Sequence, residues 1–528
     1  MEVKVDFEGL GQRIVALPIP AANYVALAAG KEGILFLGEA PQVITDVSQA
    51  PPATIQRFDL AKRKLDKFLE STKDLQGGAS GEAPSRTFQV SANGEKLLFR
   101  KDDQFLITDT EKAEGKPVKL EDLSVFVDPA AEWRQIYHEV WRIQRDFLYD
   151  PNFHGLDLKA VEEKYRPYLP GLASRADLNY LFEVMLGELT LGHVFVWGGD
   201  QPASKRIRGG LLGADYKIDN GRYRFARIYT GESWNPDVSA PLAQPGVNVS
   251  VGDYLLEVRG RDVRATNELY SFFGETVGKT IVLKVGPNAD GTNARFVSVV
   301  PVDDEFSLRR LAWIEENRRT VDRLSGGRVA YVYLPDTFVQ GYRHFTRYFF
   351  AQTDKEAAVI DERYNQGGML ADYVIDALKR QPMSYVTSRG GEDFHEPVGL
   401  IQGPKAMLIN ESAGSGGDAM PWYFRRAGVG KLVGTRTWGG LVGISDYPPL
   451  MDGGMVTAPR MAIYGLQGDW EVENVGIAPD IEVVLDPQAW RQGHDSQLER
   501  AVQTVLKELE QHPLAQPRKP AYPNYHGR

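Results

Sequence analysis

Cysteine is absent from all 528 residues. That excludes disulfide staples, thiolate metal sites and a cysteine nucleophile, although it does not fix a compartment. Long apolar runs are also missing; none approaches the ~20 residues that span a bilayer. Basic charge is in deficit, with 61 Lys and Arg against 71 Asp and Glu, a net charge of -10 and a pI near 5.5. A general nucleic-acid binder would show a basic face, so neither nucleic acid nor membrane is an expected partner. The opening MEVKVDFEGLGQR has no basic n-region and no apolar h-region. No signal peptide is expected, and a cytoplasmic location is. No H-E-x-x-H or paired His/carboxylate spacing occurs, so neither a metal nor a cofactor is expected.

What is present is ordinary globular material, 42% hydrophobic and 25% charged, long enough for about three or four domains. Residues 1–125 read as all-β. The runs at 24–37 and 55–69 each hold two short strands around a turn, and 87–100 and 105–120 repeat the pattern. Each unit of about four strands resembles a β-propeller blade, but two blades cannot close a propeller of four to eight. The stretch 76–85, QGGASGEAPS, is a flexible loop by composition. Residues 126–204 turn helical, with Trp133, Ile136, Tyr137, Val140 and Trp141 at helical spacing and further helices over 158–168 and 174–186. Residues 205–303 form a small β-rich module whose GDYLLEVRGRDV resembles a PDZ domain, with a carboxylate-binding loop near 209–213. Residues 304–490 alternate strand and helix, at 329–334, 341–352, 357–361 and 369–380, and end in β pieces at 455–464 and 481–485. An amphipathic helix over 497–511 and a Pro-rich extended end occupy 491–528.

The stretch 410–443, NESAGSGGDAMPWYFRRAGVGKLVGTRTWGGLVG, concentrates the chemistry. An apolar strand at 406–409 leads in and a helical run at 419–426 leads out, with Ser412 and Ser415 in a small-residue turn between them. Such a turn lifts a nucleophile clear of a sheet and offers helix N-terminal amides to a developing oxyanion. A serine nucleophile needs a base. Of the eight histidines, three lie in or near the tail, His138 and His344 sit in helical runs, and His154 and His395 in turns. His193 stands out, between G-E-L-T-L-G and an apolar strand. A second turn, Asp361-Glu-Arg363-Tyr-Asn-Gln-Gly367-Gly368, follows a strand and can aim backbone amides into a crevice, with Asp361 and Arg363 bracing it as an ion pair.

D-x-R-x-N-x-G-G, then N-E-x-A-G-S-x-G-D about 50 residues on, then GTRTWGG, resembles the C-terminal processing peptidase superfamily, and within it the tricorn proteases. The resemblance implies a multidomain chain: propeller-like blades, then an α/β protease core of helical subdomain and α/β sandwich, interrupted by a PDZ domain. It implies a serine protease working through an acyl-enzyme, with Ser415 as nucleophile, His193 as base and Glu473 completing the relay. Gly368 and Gly416, with Gly367 beside them, match the oxyanion and substrate-binding turn. Two departures stand out. Gly192 occupies the place of a hydroxyl residue before the histidine, and Gly416 follows the nucleophile where the family has an acidic residue. The Ser–Lys branch of the superfamily carries a lysine where this chain has Gly440.

The large upstream propeller region of tricorn proteins is lacking, so the chain reads as about their C-terminal half. Peptides or unfolded proteins are the implied substrates, with a P1 pocket after Gly368 near 385–394, and a homo-oligomer, hexameric by resemblance, is the implied assembly. The competing reading is a non-catalytic, PDZ-containing peptide-binding protein with a degenerate protease core.

Overall fold

The structure is a computed structural model that describes residues 7–14, 16–41, 52–73, 75, 87–102, 104–202, 204, 206–235, 238–445, 447–514 and 518–527. The loop expected at 76–85 lies outside the described residues, as do residues 1–6 at the start and 515–517 and 528 in the Pro-rich end. The chain forms two compact units, Met1–Asp128 and Pro129–Arg528.

In the first unit, Asn23–Ala29, Ile34–Ala40, Ala53–Asp59 and Lys64–Thr72 make one antiparallel meander. Phe88–Val90, Lys96–Lys101, Gln104–Asp109 and Lys112–Pro117 make a second. Alternating apolar residues put Phe36, Ile55, Phe88, Leu97 and Phe99 into one shared core. Phe36 meets Phe68 and Phe88 edge to face, at 5.3 and 6.4 Å between ring centroids.

The second unit opens with three helices, α1 (Pro129–Phe147), α2 (Leu158–Tyr165) and α3 (Arg175–Leu186). They enclose Ile136, Tyr137, Val140, Trp141, Leu178 and Phe182, the apolar face that the spacing anticipates. The same core takes in Tyr447, Leu450, Val456 and Ala458 from far along the chain. Val196–Trp197 pairs antiparallel with Met455–Val456. The helical subdomain is therefore built from two separate segments, and its second segment falls inside the region read as α/β.

A six-stranded sheet of the PDZ-like module follows: Ala214–Asp219, Arg222–Ile228, Tyr254–Val258, Ile281–Gly286 and Arg295–Val299 in spatial order, with Arg261–Asp262 pairing beside the third. A short 3-10 helix, Leu269–Phe273, lies between the third and fourth of these strands. Then comes α4 (Phe306–Ser325), 20 residues where the sequence places only a domain boundary.

The catalytic-type subdomain is a wholly parallel sheet in chain order: Val329–Tyr333, Ala357–Asp361, Lys405–Ile409, Gly430–Gly434 and Ile481–Glu482. Its first three strands are buried at every position, as strands covered on both faces must be. The crossovers are α5 (Val339–Phe349), α6 (Ala371–Leu378) and α7 (Gly416–Arg426). One crossover hand in consecutive strand order places all three on one face. After α8 (Pro487–Arg491), α9 (Ser496–Gln511) packs with α4 and over the strands. All described residues considered, no helix is long and apolar enough to cross a membrane.

Beneath the sheet's carboxyl edge, Arg363 and Asp361 form the expected pair. Nη2–Oδ2 is 2.6 Å and Nε–Oδ1 2.9 Å, with exposures of 1% and 0%. The guanidinium also reaches Asp495 and Gln497, so it ties the loop to the start of α9. Breaking a buried pair strands a charge, and Arg363→Met is expected to cost about 3–5 kcal/mol. The check is a fall in the urea midpoint without a change in slope.

Candidate active site

The turns that carry Ser415 and Gly367–Gly368 leave the carboxyl ends of parallel strands, the edge where open α/β sheets bind ligands. Ser415 follows Lys405–Ile409 and caps α7. Its backbone sits at φ 59°, ψ -117°, a left-handed conformation that a side chain adopts only under strain, at a cost on the order of 1–3 kcal/mol. Hydrogen bonds hold it there. Its amide donates to the Gly440 carbonyl and to Asp418 Oδ2, both at 3.0 Å. Asp418 is fully buried and accepts further from Gly439 N at 2.8 Å, Gly440 N at 3.1 Å and the Thr437 hydroxyl. Burial pushes its carboxyl pKa up while those donors pull it down. Ser412 also borders the cleft but is exposed.

The turn 361–368 lies directly against Ser415. Tyr364 N donates to Asn410 Oδ1 at 2.9 Å, and Gly414 N to the Asn365 carbonyl at 3.1 Å. A Cβ on Gly367 would come within 2.6 Å of Ser415 Cβ, so only glycine fits there. Its amide is nevertheless spent on Asn365 Oδ1 at 2.9 Å, which removes Gly367 from the expected oxyanion donors. The amides of Gly368 and Gly416 carry no hydrogen bond among the described residues. They are thus available to a ligand beside Ser415.

His193 and Ser415 line one cleft of about 790 Å³, walled by Phe195, Met369, Tyr423, Leu441, Ile444 and Met461 with Asp372 among them. Trp438 packs against the imidazole at 5.3 Å between centroids. The 385–394 hairpin, expected at a P1 pocket, contributes no residue to this cleft. Burial lowers the His193 pKa, and the Glu473 charge opposes that shift. No hydrogen bond joins Glu473 to the ring among the described residues. Its Oε1 accepts from Gly192 N at 2.8 Å, and its Oε2 accepts from Leu441 N and from Val442 N at 3.0 Å. His193 Nδ1 is buried without a partner among the described residues. A Cβ on Gly192 would lie 3.2 Å from Glu473 Oε1, so a side chain at this position would stand against that carboxylate. A Cβ on Gly440 would strike the Trp438 ring at 2.4 Å, which leaves no room for a lysine base.

His193 itself sits at φ 59°. Thr457, buried in the ribbon beside it, donates its hydroxyl to the His193 carbonyl at 2.6 Å and accepts from Phe195 N at 2.8 Å. The Thr457 carbonyl in turn accepts from the buried Gln144 amide at 2.9 Å. The same ribbon is anchored to α3 by the buried Arg175–Asp452 pair. Neither Thr457 nor Asp418 was singled out from sequence. Asp418 sits inside the quoted G-S-x-G-D motif, whereas nothing near Thr457 signals its partner 264 residues away.

A serine on a strained strand-to-helix turn, a histidine in the same cleft and two unspent amides beside them define a serine-hydrolase arrangement. Comparison with known proteins agrees. Residues 129–187 match the Tricorn protease C1 domain, residues 210–304 the Tricorn protease PDZ domain and residues 328–483 Peptidase family S41. The chain belongs to the tricorn protease family. It is 34% identical over 532 residues to Tricorn protease homolog 1 of Streptomyces coelicolor, across 97% of this chain and 48% of that protein. It is 30% identical to a putative tricorn-like protease C-terminal subunit of Sulfurisphaera tokodaii, across 96% of this chain and 58% of that one. The crystal structure of the tricorn protease superposes with a TM-score of 0.82 at 26% identity, over 92% of this chain and 47% of that chain. The chain spans about half the length of the curated relatives it matches.

Thr457→Val keeps the shape and deletes the hydroxyl that fixes the His193 backbone. Peptidase assays are expected to show kcat down by about tenfold or more with KM little changed, since a misplaced base harms the transition state. Thr457→Ser should restore most of the loss.

Proposed function

We propose that this chain is the peptidase-bearing part of a tricorn-type serine protease that hydrolyses peptides. The observation that carries the reading is the pair of unspent amides, Gly368 and Gly416, beside the strained Ser415 in a cleft that His193 also lines.

In this mechanism the Ser415 hydroxyl attacks the scissile carbonyl as His193 takes its proton. The Gly368 and Gly416 amides meet the oxyanion, where preorganised donors contribute most. His193 then protonates the leaving amine, and water enters to hydrolyse the acyl-enzyme through the same base. Glu473 acts on the backbone that carries the base, and its charge favours the imidazolium that forms. The apolar cleft walls suit peptide side chains, and peptides or unfolded proteins are the proposed substrates. The reading carries a homo-oligomer, hexameric by the family resemblance, and a cytoplasmic location.

Ser415→Ala is expected to lower kcat/KM by at least about 10³-fold, the scale seen when a nucleophile is removed. It should also abolish labelling by a fluorophosphonate. Full activity in the variant would favour the non-catalytic peptide-binding alternative together with a contaminating peptidase.

Because burial lowers the His193 pKa, the neutral base persists below its ordinary value of about 6.5. The acid limb of the kcat/KM profile should therefore fall below pH ~6.5. The Glu473 charge holds that pKa up, so Glu473→Gln should move the limb to still lower pH as well as reduce the plateau. A limb that shifts upward would remove Glu473 from the relay.

A further inference from the structure

A PDZ domain adds a peptide strand to a sheet edge and captures the terminal carboxylate on the amides of the preceding loop. The edge exists here: Ala214–Asp219 pairs on one side only, with Arg222–Ile228. In the loop before it, 209–213, three of the five amides are committed. Gly210 N donates to the Phe273 carbonyl at 2.9 Å and Leu211 N to the Val302 carbonyl at 2.7 Å. Gly213 N donates to Glu305 Oε1 at 2.6 Å.

Glu305 caps α4, and its side chain is 7% exposed. Its other oxygen is held by Arg309 Nε at 2.7 Å. Arg309 also donates to Asp215 Oδ1 at 2.6 Å, to the Tyr229 hydroxyl at 3.0 Å and to the Ala214 carbonyl at 3.2 Å, at the start of the edge strand. The Tyr229 hydroxyl closes the ring of contacts on Asp215 Oδ2 at 2.9 Å. Leu308 packs beneath with Tyr229 and Ala240.

We propose that the PDZ module of this chain takes its carboxylate from within, from Glu305, and serves as a clamp onto α4 rather than as a receptor for peptide C-termini. An incoming carboxylate would find three of the loop's five amides spent, Gly213 N on Glu305 itself, and would meet a buried like charge whose counter-charge, Arg309, is already paired. The clamp fixes the module to the helix that packs over the parallel sheet, so peptide enters the Ser415 cleft without C-terminal selection at the PDZ edge. The inference stands on the module's own geometry, independent of the peptidase reading.

The test uses the full chain carrying Ser415→Ala, so that peptide is not consumed. A labelled hexapeptide with an apolar last residue is titrated as its free acid and as its amide, read by fluorescence anisotropy. With Glu305 present, acid and amide should bind within about twofold of each other; a tenfold preference for the acid would overturn the proposal. Glu305→Ala frees Gly213 N and Arg309. It should lower the thermal midpoint, regain part of it in acetate but not in chloride at equal ionic strength, and prefer the acid by fivefold or more. A folded Glu305→Ala protein that ignores acetate and still does not distinguish acid from amide would also overturn it. If Glu305→Ala does not fold, Glu305→Gln drops the charge but keeps an acceptor for Gly213; its acid-to-amide ratio should rise at least threefold, and an unchanged ratio counts against the clamp.

Discussion

The Asp418 carboxylate is the interaction on which the site depends. It sits at the third position of α7, wholly buried, and gathers donors from two turns that are 20 residues apart in the chain. A carboxylate in the first turn of a helix is favoured by the local dipole. Here it does more than cap. By gripping the Ser415 amide it holds a backbone conformation that would otherwise relax. By gripping Thr437, Gly439 and Gly440 it brings Trp438 against His193, and Gly440 close to Gly192. A buried carboxylate is tolerable only when its oxygens are satisfied, and this one has four donors.

The ground beneath the site is unusually acidic for an interior. Asp361 is neutralised by Arg363 and hydrogen-bonded by Tyr331. Glu362, one residue on, is equally buried, and neither of its oxygens has a partner among the described residues. Burial, with Asp418 and Asp361 close by, drives its pKa well above the usual carboxylate range. Unsatisfied polar atoms cluster here: Glu362, Asn365 Nδ2, Thr337 Oγ1 and His193 Nδ1. Such groups detract from stability, and their concentration under one cleft fits a region shaped for chemistry rather than for packing.

Much of this was legible because it is local. The strand–turn–helix of Ser415, the D-x-R-x-N-x-G-G turn and its ion pair each lie within one short stretch of chain, where glycine placement and apolar runs carry information. The α4 helix was passed over. Its buried positions Leu308, Ile314, Asn317, Val321 and Ser325 make a narrow stripe that includes two polar residues, amid five arginines. Gly367 shows a different limit. Sequence marks it as a residue that must be glycine, and the close approach to Ser415 is the reason, but only the Asn365 side chain decides that its amide points inward.

By itself the sequence excluded a cysteine nucleophile and marked the small-residue turns of an α/β core, with Ser415 among them, as the place for chemistry. Residue type and short spacing settle these, because they depend on what the chain contains. Tertiary structure alone decided how His193 is held. Residues 447–458 leave the α/β subdomain to complete the helical core, and in doing so deliver Thr457 to His193 and Asp452 to Arg175. It also decided that Glu473 braces the backbone before His193 rather than the ring, and that Glu305 fills the PDZ loop. These contacts join residues 92 to 281 positions apart. No local periodicity encodes them; they exist because burying two apolar faces together fixes which loops must meet.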